Sequence, residues 1–279
     1  MLILDGPMGT ELGRRGVATP APGWSAYALE SSPESVRDIH RAYAVAGAQA
    51  HRGNTFRTQP KLFPERYVEL ALRAHALLRQ GLASAGVPDP DAGGSSFGCM
   101  APIEDCYRPD LSPPESVARG AHRKMASALR DAGYARIVCE TFPHAAEARI
   151  AVEEAVATGL ETWLALTAGP DGALMSPEAM ERAARDGVAA GARAVLVCCT
   201  SAAMTGAYVE RLARIGVPFG AYANAGDPAA GLGWAAEPMR AAAAYATLAA
   251  EWVAAGASIV GACCGAGPAH IAELATRFG

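Results

Sequence analysis

SSFGCMAPIEDCYRPDLSPPESVARGAHRKMASALRDAGYARIVC, residues 95–139, holds one full repeat of the pattern that decides the fold. It opens on a short apolar run at 95–98, crosses a polar loop, continues as a helical pattern at 115–132 and closes on an apolar run at 137–139. Ser112-x-x-Glu115 fits a capping box, in which a hydroxyl and a carboxylate satisfy the free N–H groups of a first turn. The same alternation recurs along the chain. Strand candidates are 2–4, 48–51, 95–98, 137–139, 162–166, 194–198, 218–222 and 258–262. Helical patterns lie near 34–46, 65–85, 115–132, 144–158, 177–190, 205–214, 238–255 and 268–278. In 65–85, Tyr67, Leu70, Ala71, Ala74, Leu77 and Leu78 share one face, while Glu65, Arg66, Glu69 and Arg73 turn away. Ser31-x-x-Glu34 is a second capping-box pattern, and Pro33, Pro113, Pro177 and Pro268 mark helix starts, where proline's missing N–H is harmless.

Eight strand–helix units within 279 residues predict a closed (β/α)8 barrel of the TIM type, in the α/β class. An open doubly wound sheet shares the alternation, but no G-x-G-x-x-G follows the first strand candidate. The Pro/Gly/Asp stretch at 86–94 reads as one loop, and nothing divides the chain, so a single domain over 1–279 is expected.

Composition excludes other classes. At 51% hydrophobic residues the chain is too apolar for intrinsic disorder. The alanine-rich stretch 241–257 is broken by Tyr245, Glu251 and Gly256, so no membrane span is expected. MLILDG at the start lacks a basic segment, which argues against a signal peptide. A net charge of −4 gives no reason to expect nucleic acid or an anionic membrane as partner. Seven cysteines without an export signal predict a reducing, cytoplasmic setting. Four of them form the adjacent pairs Cys198-Cys199 and Cys263-Cys264, too close along the chain for a disulfide within either pair.

In a parallel barrel, chemistry collects at the C-terminal ends of the strands. Those ends carry Asp5-Gly6, Gly53-Asn54-Thr55-Phe56, Cys99, Glu140-Thr141, Cys198-Cys199-Thr200, Asn224 and Cys263-Cys264. Cys199 with Cys263 and Cys264 would make three thiolates around one zinc, leaving a fourth position open as in catalytic sites. Packing is the competing reading, because cysteine is a small hydrophobe common in buried strands. Cys99, Cys106 and Cys139 are expected simply to pack. Alternation along a strand should point Cys198 away from Cys199, and Gly261 and Gly265 supply backbone freedom around the second pair.

Taken together, the motifs resemble the zinc-dependent homocysteine S-methyltransferases, which include the S-methylmethionine and betaine enzymes. The resemblance runs nearly end to end: ILDGPMGTEL at 3–12, Trp24-Ser25, Glu140-Thr141-Phe142-Pro143, Cys198-Cys199-Thr200, Tyr222-Ala223-Asn224-Ala225-Gly226, and Gly261-Ala262-Cys263-Cys264-Gly265-Ala266-Gly267-Pro268-Ala269-His270-Ile271. Cys198, Ala223, Ala262 and Gly267 depart from the family pattern.

The resemblance implies that Cys199, Cys263 and Cys264 hold Zn2+ and that the acceptor sulfur of homocysteine takes the open position. It also implies that Asp5 and Glu140 grip the amino acid's ammonium and that backbone near Gly6 takes its carboxylate. Asn54, Asn224 and Trp24 become candidate substrate contacts, and His270 a scaffold residue. The expected reaction is methyl transfer from a sulfonium donor, S-methylmethionine or S-adenosylmethionine, to give methionine. Aromatic faces suit such a cation, and Trp24, Tyr27, Phe56, Tyr107 and Trp234 are candidates. The loop 104–110 reads as a donor lid or as solvated surface. Two other readings stay open: a methyltransferase acting on a different thiol or selenol, and a non-catalytic zinc- or thiol-binding barrel.

Overall fold

The computed structural model describes residues 1–226 and 237–279. Eight strands form one all-parallel sheet: β1 (Leu2–Ile3), β2 (His51–Arg52), β3 (Ser96–Met100), β4 (Arg136–Phe142), β5 (Glu161–Leu166), β6 (Ala194–Ser201), β7 (Phe219–Asn224) and β8 (Ile259–Ala262). Hydrogen-bonded neighbours run β1-β8-β7-β6-β5-β4-β3-β2. The two ends of that order meet through a parallel bridge between Leu4 and Ala50, so the sheet closes into the (β/α)8 barrel that the alternation predicts.

The helices among the described residues are α1 (Met8–Arg14), α2 (Ala28–Ser31), α3 (Pro33–Val45), α4 (Tyr67–Ala83), α5 (Glu115–Ala132), α6 (Ala145–Val156), α7 (Pro177–Ala189), α8 (Ala202–Leu212), α9 (Pro238–Ala254) and α10 (Pro268–Phe278). Alternation along the strands divides the apolar residues into two cores. Ile137, Leu164, Val195, Val197 and Val260 pack outward against the helices. Phe97, Val138, Trp163, Leu196 and Tyr222 fill the barrel itself. None of the described helices is long and apolar enough to cross a membrane.

Both predicted capping boxes fail, for a local reason. Pro114 is the N-cap of α5, and the Ser112 hydroxyl instead donates to Glu147 at 2.6 Å. Ser31 donates back to the Tyr27 carbonyl at 3.1 Å, leaving α3 to begin after Ser32 without a side-chain cap. In each case the hydroxyl donates to a nearby oxygen and does not accept from the free N–H groups of the helix terminus. Pro33, Pro177 and Pro268 do lie in first turns, whereas Pro113 precedes α5. The short helices α1 and α2, inserted between β1 and α3, are absent from the periodicity reading because α1 carries Gly9 and Gly13.

Candidate active site

The strands β4 and β6 end in register irregularities, between Glu140 and Phe142 and between Cys198 and Ser201. Inside each irregularity sits a non-glycine residue in the left-handed region: Thr141 at φ 63° and Cys199 at φ 50°. Trp24, at φ 47°, is the third such residue among those described. All three line one cavity of about 390 Å3. Backbone strain concentrated around a single cavity is the usual mark of a functional site.

The bulge in β6 overturns the expectation that Cys198 points away from Cys199. With the extra residue absorbed at Cys199, strict alternation is lost and both thiols approach Thr141. The Thr141 hydroxyl lies 3.6 Å from the Cys198 sulfur and 3.4 Å from that of Cys199. Across the barrel mouth, Cys263 and Cys264 follow directly after β8. Gly265 makes this turn possible: its φ is +85°, and a Cβ there would stand 2.3 Å from the Cα of Gly226. Gly261 serves differently from the expected flexibility, because a Cβ on it would meet the Leu4 side chain at 2.6 Å.

The Cys199 and Cys263 sulfurs are 2.7 Å apart although 64 positions separate them. Hydrogen bonds that the Cys199 thiol donates to Cys198 and the other neighbouring sulfurs, with burial behind them, push it well above its ordinary range. Cys264 accepts from Cys199 and Cys263 and is held well below that range. In donor type and convergence the three thiols fit a metal. Their spacing is tighter than a metal needs, since two sulfurs on one tetrahedral zinc, at about 2.3 Å each, stand roughly 3.8 Å apart. Accordingly, no group among the described residues is already spaced as metal ligands. Cys199 and Cys263 must part by about 1 Å to hold one.

At the other end of the cavity lies a residue that the sequence reading passed over. Arg52, the last residue of β2, is nearly buried, with 9% of its side chain exposed. Its Nε donates to Asp5 Oδ1 at 2.8 Å, its backbone N–H to Asp5 Oδ2 at 2.8 Å, and its Nη1 to Glu140 Oε2 at 3.1 Å. Its Nη2 reaches the carbonyls of Asp5, Gly6 and Ala262 at 3.1–3.3 Å. The Tyr222 hydroxyl donates to the same Glu140 oxygen at 2.9 Å, and the guanidinium lies 4.4 Å from the Tyr222 ring centre. Burial pushes Asp5 up to about 6, against the pull of Arg52. Asp5 and Glu140 are thus brought to one place, with an arginine between them.

The remaining candidates separate into lining and support. Gly6, Trp24 and Asn54 line the cavity; Asn224 does not. Asn54 donates to the Ser25 carbonyl at 2.8 Å, holding the Trp24 turn. Asn224 donates to the Cys199 carbonyl at 3.0 Å. Gly6 is required by packing, because a Cβ on it would lie 2.5 Å from the Tyr43 ring. His270 accepts from the Gly267 N–H at 3.3 Å and packs edge-on against Tyr245.

Cys99 and Cys106, expected only to pack, both line the cavity, whereas Cys139 lies in the outer core. Phe56 and Tyr107 line it as well, and Tyr27 instead packs on Phe63. Trp234 lies outside the described residues. The 104–110 loop has one part against the cavity and one part in solvent. Arg57 and Gln59 pin it through the carbonyls of Glu104 and Pro102, turning Cys106 and Tyr107 inward. Arg108 and Asp110 pair in solvent.

A closed barrel whose rim gathers thiols against a buried acid–arginine cluster defines a class, and comparison with known proteins agrees with it. The sequence profile of homocysteine S-methyltransferases matches residues 2–278, and the chain belongs to that family. The homocysteine S-methyltransferase of Escherichia coli K12 is 30% identical over 299 residues, covering 99% of this chain and 95% of that protein. Methionine synthase of Mycobacterium tuberculosis is 27% identical over 296 residues, covering 99% of this chain but 24% of that much longer protein. The crystal structure of the E. coli homocysteine methyltransferase MmuM in its metallated form superposes with a TM-score of 0.81 at 26% identity, covering 99% of this chain and 96% of that one.

Proposed function

We propose that this chain is a zinc-dependent S-methyltransferase that moves a methyl group from a sulfonium donor to the thiol of L-homocysteine, giving methionine. The observation that carries the reading is the convergence of Cys199, Cys263 and Cys264, from two separate strand ends, on the cavity that also holds the Asp5–Arg52–Glu140 cluster. Zinc held by these three cysteines would lower the pKa of an acceptor thiol, ordinarily about 8.5, and make its sulfur a better nucleophile at neutral pH.

The chain's own residues supply the rest. Thr141 and Asn224 position Cys199, and Gly265 positions Cys264. The acid–arginine cluster closes the polar end of the cavity, and Gly6 and Asn54 shape the wall beside it. Trp24, Phe56 and Tyr107 present aromatic faces that suit the positive centre of the donor. In the reaction the acceptor sulfur gains the methyl carbon as the donor's carbon–sulfur bond breaks. The donor leaves as a neutral thioether, and the acceptor's thiol proton is released. Seven cysteines, all free, suit a reducing compartment such as the cytoplasm.

The test is metal analysis of the purified protein with a methyl-transfer assay on homocysteine. Bound zinc at about one per chain with methionine formed supports the reading. Turnover confined to a different thiol or selenol would change the acceptor, and zinc without turnover on any sulfonium donor would point to a binding protein.

A further inference from the structure

The polar end of the cavity already contains its own cation. Both oxygens of Asp5 are taken by Arg52, one by the side chain and one by the backbone N–H. One oxygen of Glu140 is shared between Arg52 and Tyr222. Asp5 is 2% exposed and Glu140 6%, so neither has much surface left for a second partner. Two carboxylates against one guanidinium leave one formal negative charge, where the carboxylates alone would present two. The arginine is anchored as well as paired, through the three carbonyls its Nη2 reaches on β8 and after β1.

We propose that Arg52 sets acceptor specificity in this chain: it fills the cation position at Asp5, so the acceptor is held by its sulfur and carbon chain and needs no α-ammonium. The acceptor class is then a short alkanethiol carboxylate, with or without an amino group. This rests on the methyl-transfer reading above and deepens it. Asp5 acts here as a positioning residue for Arg52. Magnitude decides between the alternatives. A site whose buried polar groups depend on a substrate N–H rejects the analogue lacking it by about 10⁴-fold. A site whose carboxylates are already paired has no such group to leave unsatisfied.

The experiment compares L-homocysteine with 4-mercaptobutanoate, which differs only in lacking the α-ammonium, by calorimetric binding to the zinc-loaded protein and by kcat/KM for methyl transfer. The wild-type protein should bind the two within about tenfold of each other, and Arg52→Leu should raise the preference for homocysteine by more than about tenfold. Arg52→Gln, which keeps part of the hydrogen bonding, covers the case in which Arg52→Leu does not fold, and should shift the preference the same way. A wild-type preference for homocysteine beyond tenfold overturns the proposal, as does an unchanged preference in a folded Arg52 variant. Binding of neither thiol overturns it together with the acceptor reading. Comparable binding of both without methyl transfer supports it and overturns the transfer reaction alone.

Discussion

Asn224, at the end of β7, donates its Nδ2 hydrogen to the carbonyl of Cys199 at 3.0 Å. That carbonyl belongs to a residue in the left-handed region, where a side chain with a Cβ is strained. The amide therefore holds in place the backbone turn that swings the Cys199 thiol toward Cys263. Asn224→Ala should leave the thiols intact but weaken zinc binding by about 10- to 100-fold, the usual effect of losing a residue that orients a ligand. Competition against a chelator of known affinity measures this, and unchanged affinity would remove Asn224 from the site.

The bulge at Cys199 places a fourth thiol, Cys198, beside Cys199 and Thr141. Its proximity does not make it a ligand. Cys264→Ala should abolish stoichiometric zinc and methyl transfer together, whereas Cys198→Ala should keep about one zinc per chain. Metal content by atomic absorption separates the two. Loss of zinc in the Cys198 variant would exchange the roles proposed for the cysteines of β6.

Asp5 offers a pH signature. Burial raises it to about 6 in the folded protein, well above an unfolded aspartate. Between those values the folded state binds more protons than the unfolded one. Asp5 therefore contributes stability at low pH that is lost as pH rises through about 6. A tenfold difference in proton affinity between the two states corresponds to roughly 1.4 kcal/mol, so the loss is a few kcal/mol at most. Asp5→Asn should flatten the dependence of the melting temperature between about pH 4 and 6. An unchanged slope in that variant would assign the dependence to other groups.

Glu147 is the buried hub that takes the hydroxyl lost from the α5 capping box. It accepts from the Ile103 N–H at 2.9 Å, the Ser112 hydroxyl at 2.6 Å and His122 at 3.2 Å. Although burial opposes it, these hydrogen bonds, with His122 first among them, hold its pKa below the ordinary value. Glu147→Ala leaves several polar groups buried without partners and should cost about 3 kcal/mol of stability, measured by urea unfolding. A loss under about 1 kcal/mol would mean that water replaces the carboxylate.

The fold was legible because eight apolar runs and eight amphipathic patterns repeat without interruption; α5 at 115–132 and α10 at 268–278 have the predicted limits. The cysteine cluster was legible because two adjacent pairs at strand ends point to one rim. Two features were hidden, each for a physical reason. Alternation is a local rule, and the bulge that breaks it at Cys198-Cys199 depends on how β6 meets β7. Arg52 follows a short apolar run, where an arginine ordinarily turns to solvent. Its burial depends on carboxylates 47 and 88 positions away, which no window along the chain brings together. A charged residue directly after the strand candidate 48–51, at the rim where the chemistry collects, was the available signal.

Arg52 has a second consequence through the way the barrel closes. β1 and β2 are joined by the bridge between Leu4 and Ala50 and by backbone hydrogen bonds from Gln49 and Ala50 to Ile3 and from Asp5 to Ala50, and the Asp5–Arg52 ion pair lies immediately beyond them on the cavity side. The contact proposed to set acceptor choice therefore also adds to the seam. Substitutions at Arg52 chosen to retune selectivity should speed amide hydrogen exchange around β1 and β2 before they affect the opposite wall, so in this barrel evolving a new acceptor and keeping the cylinder shut draw on the same side chain.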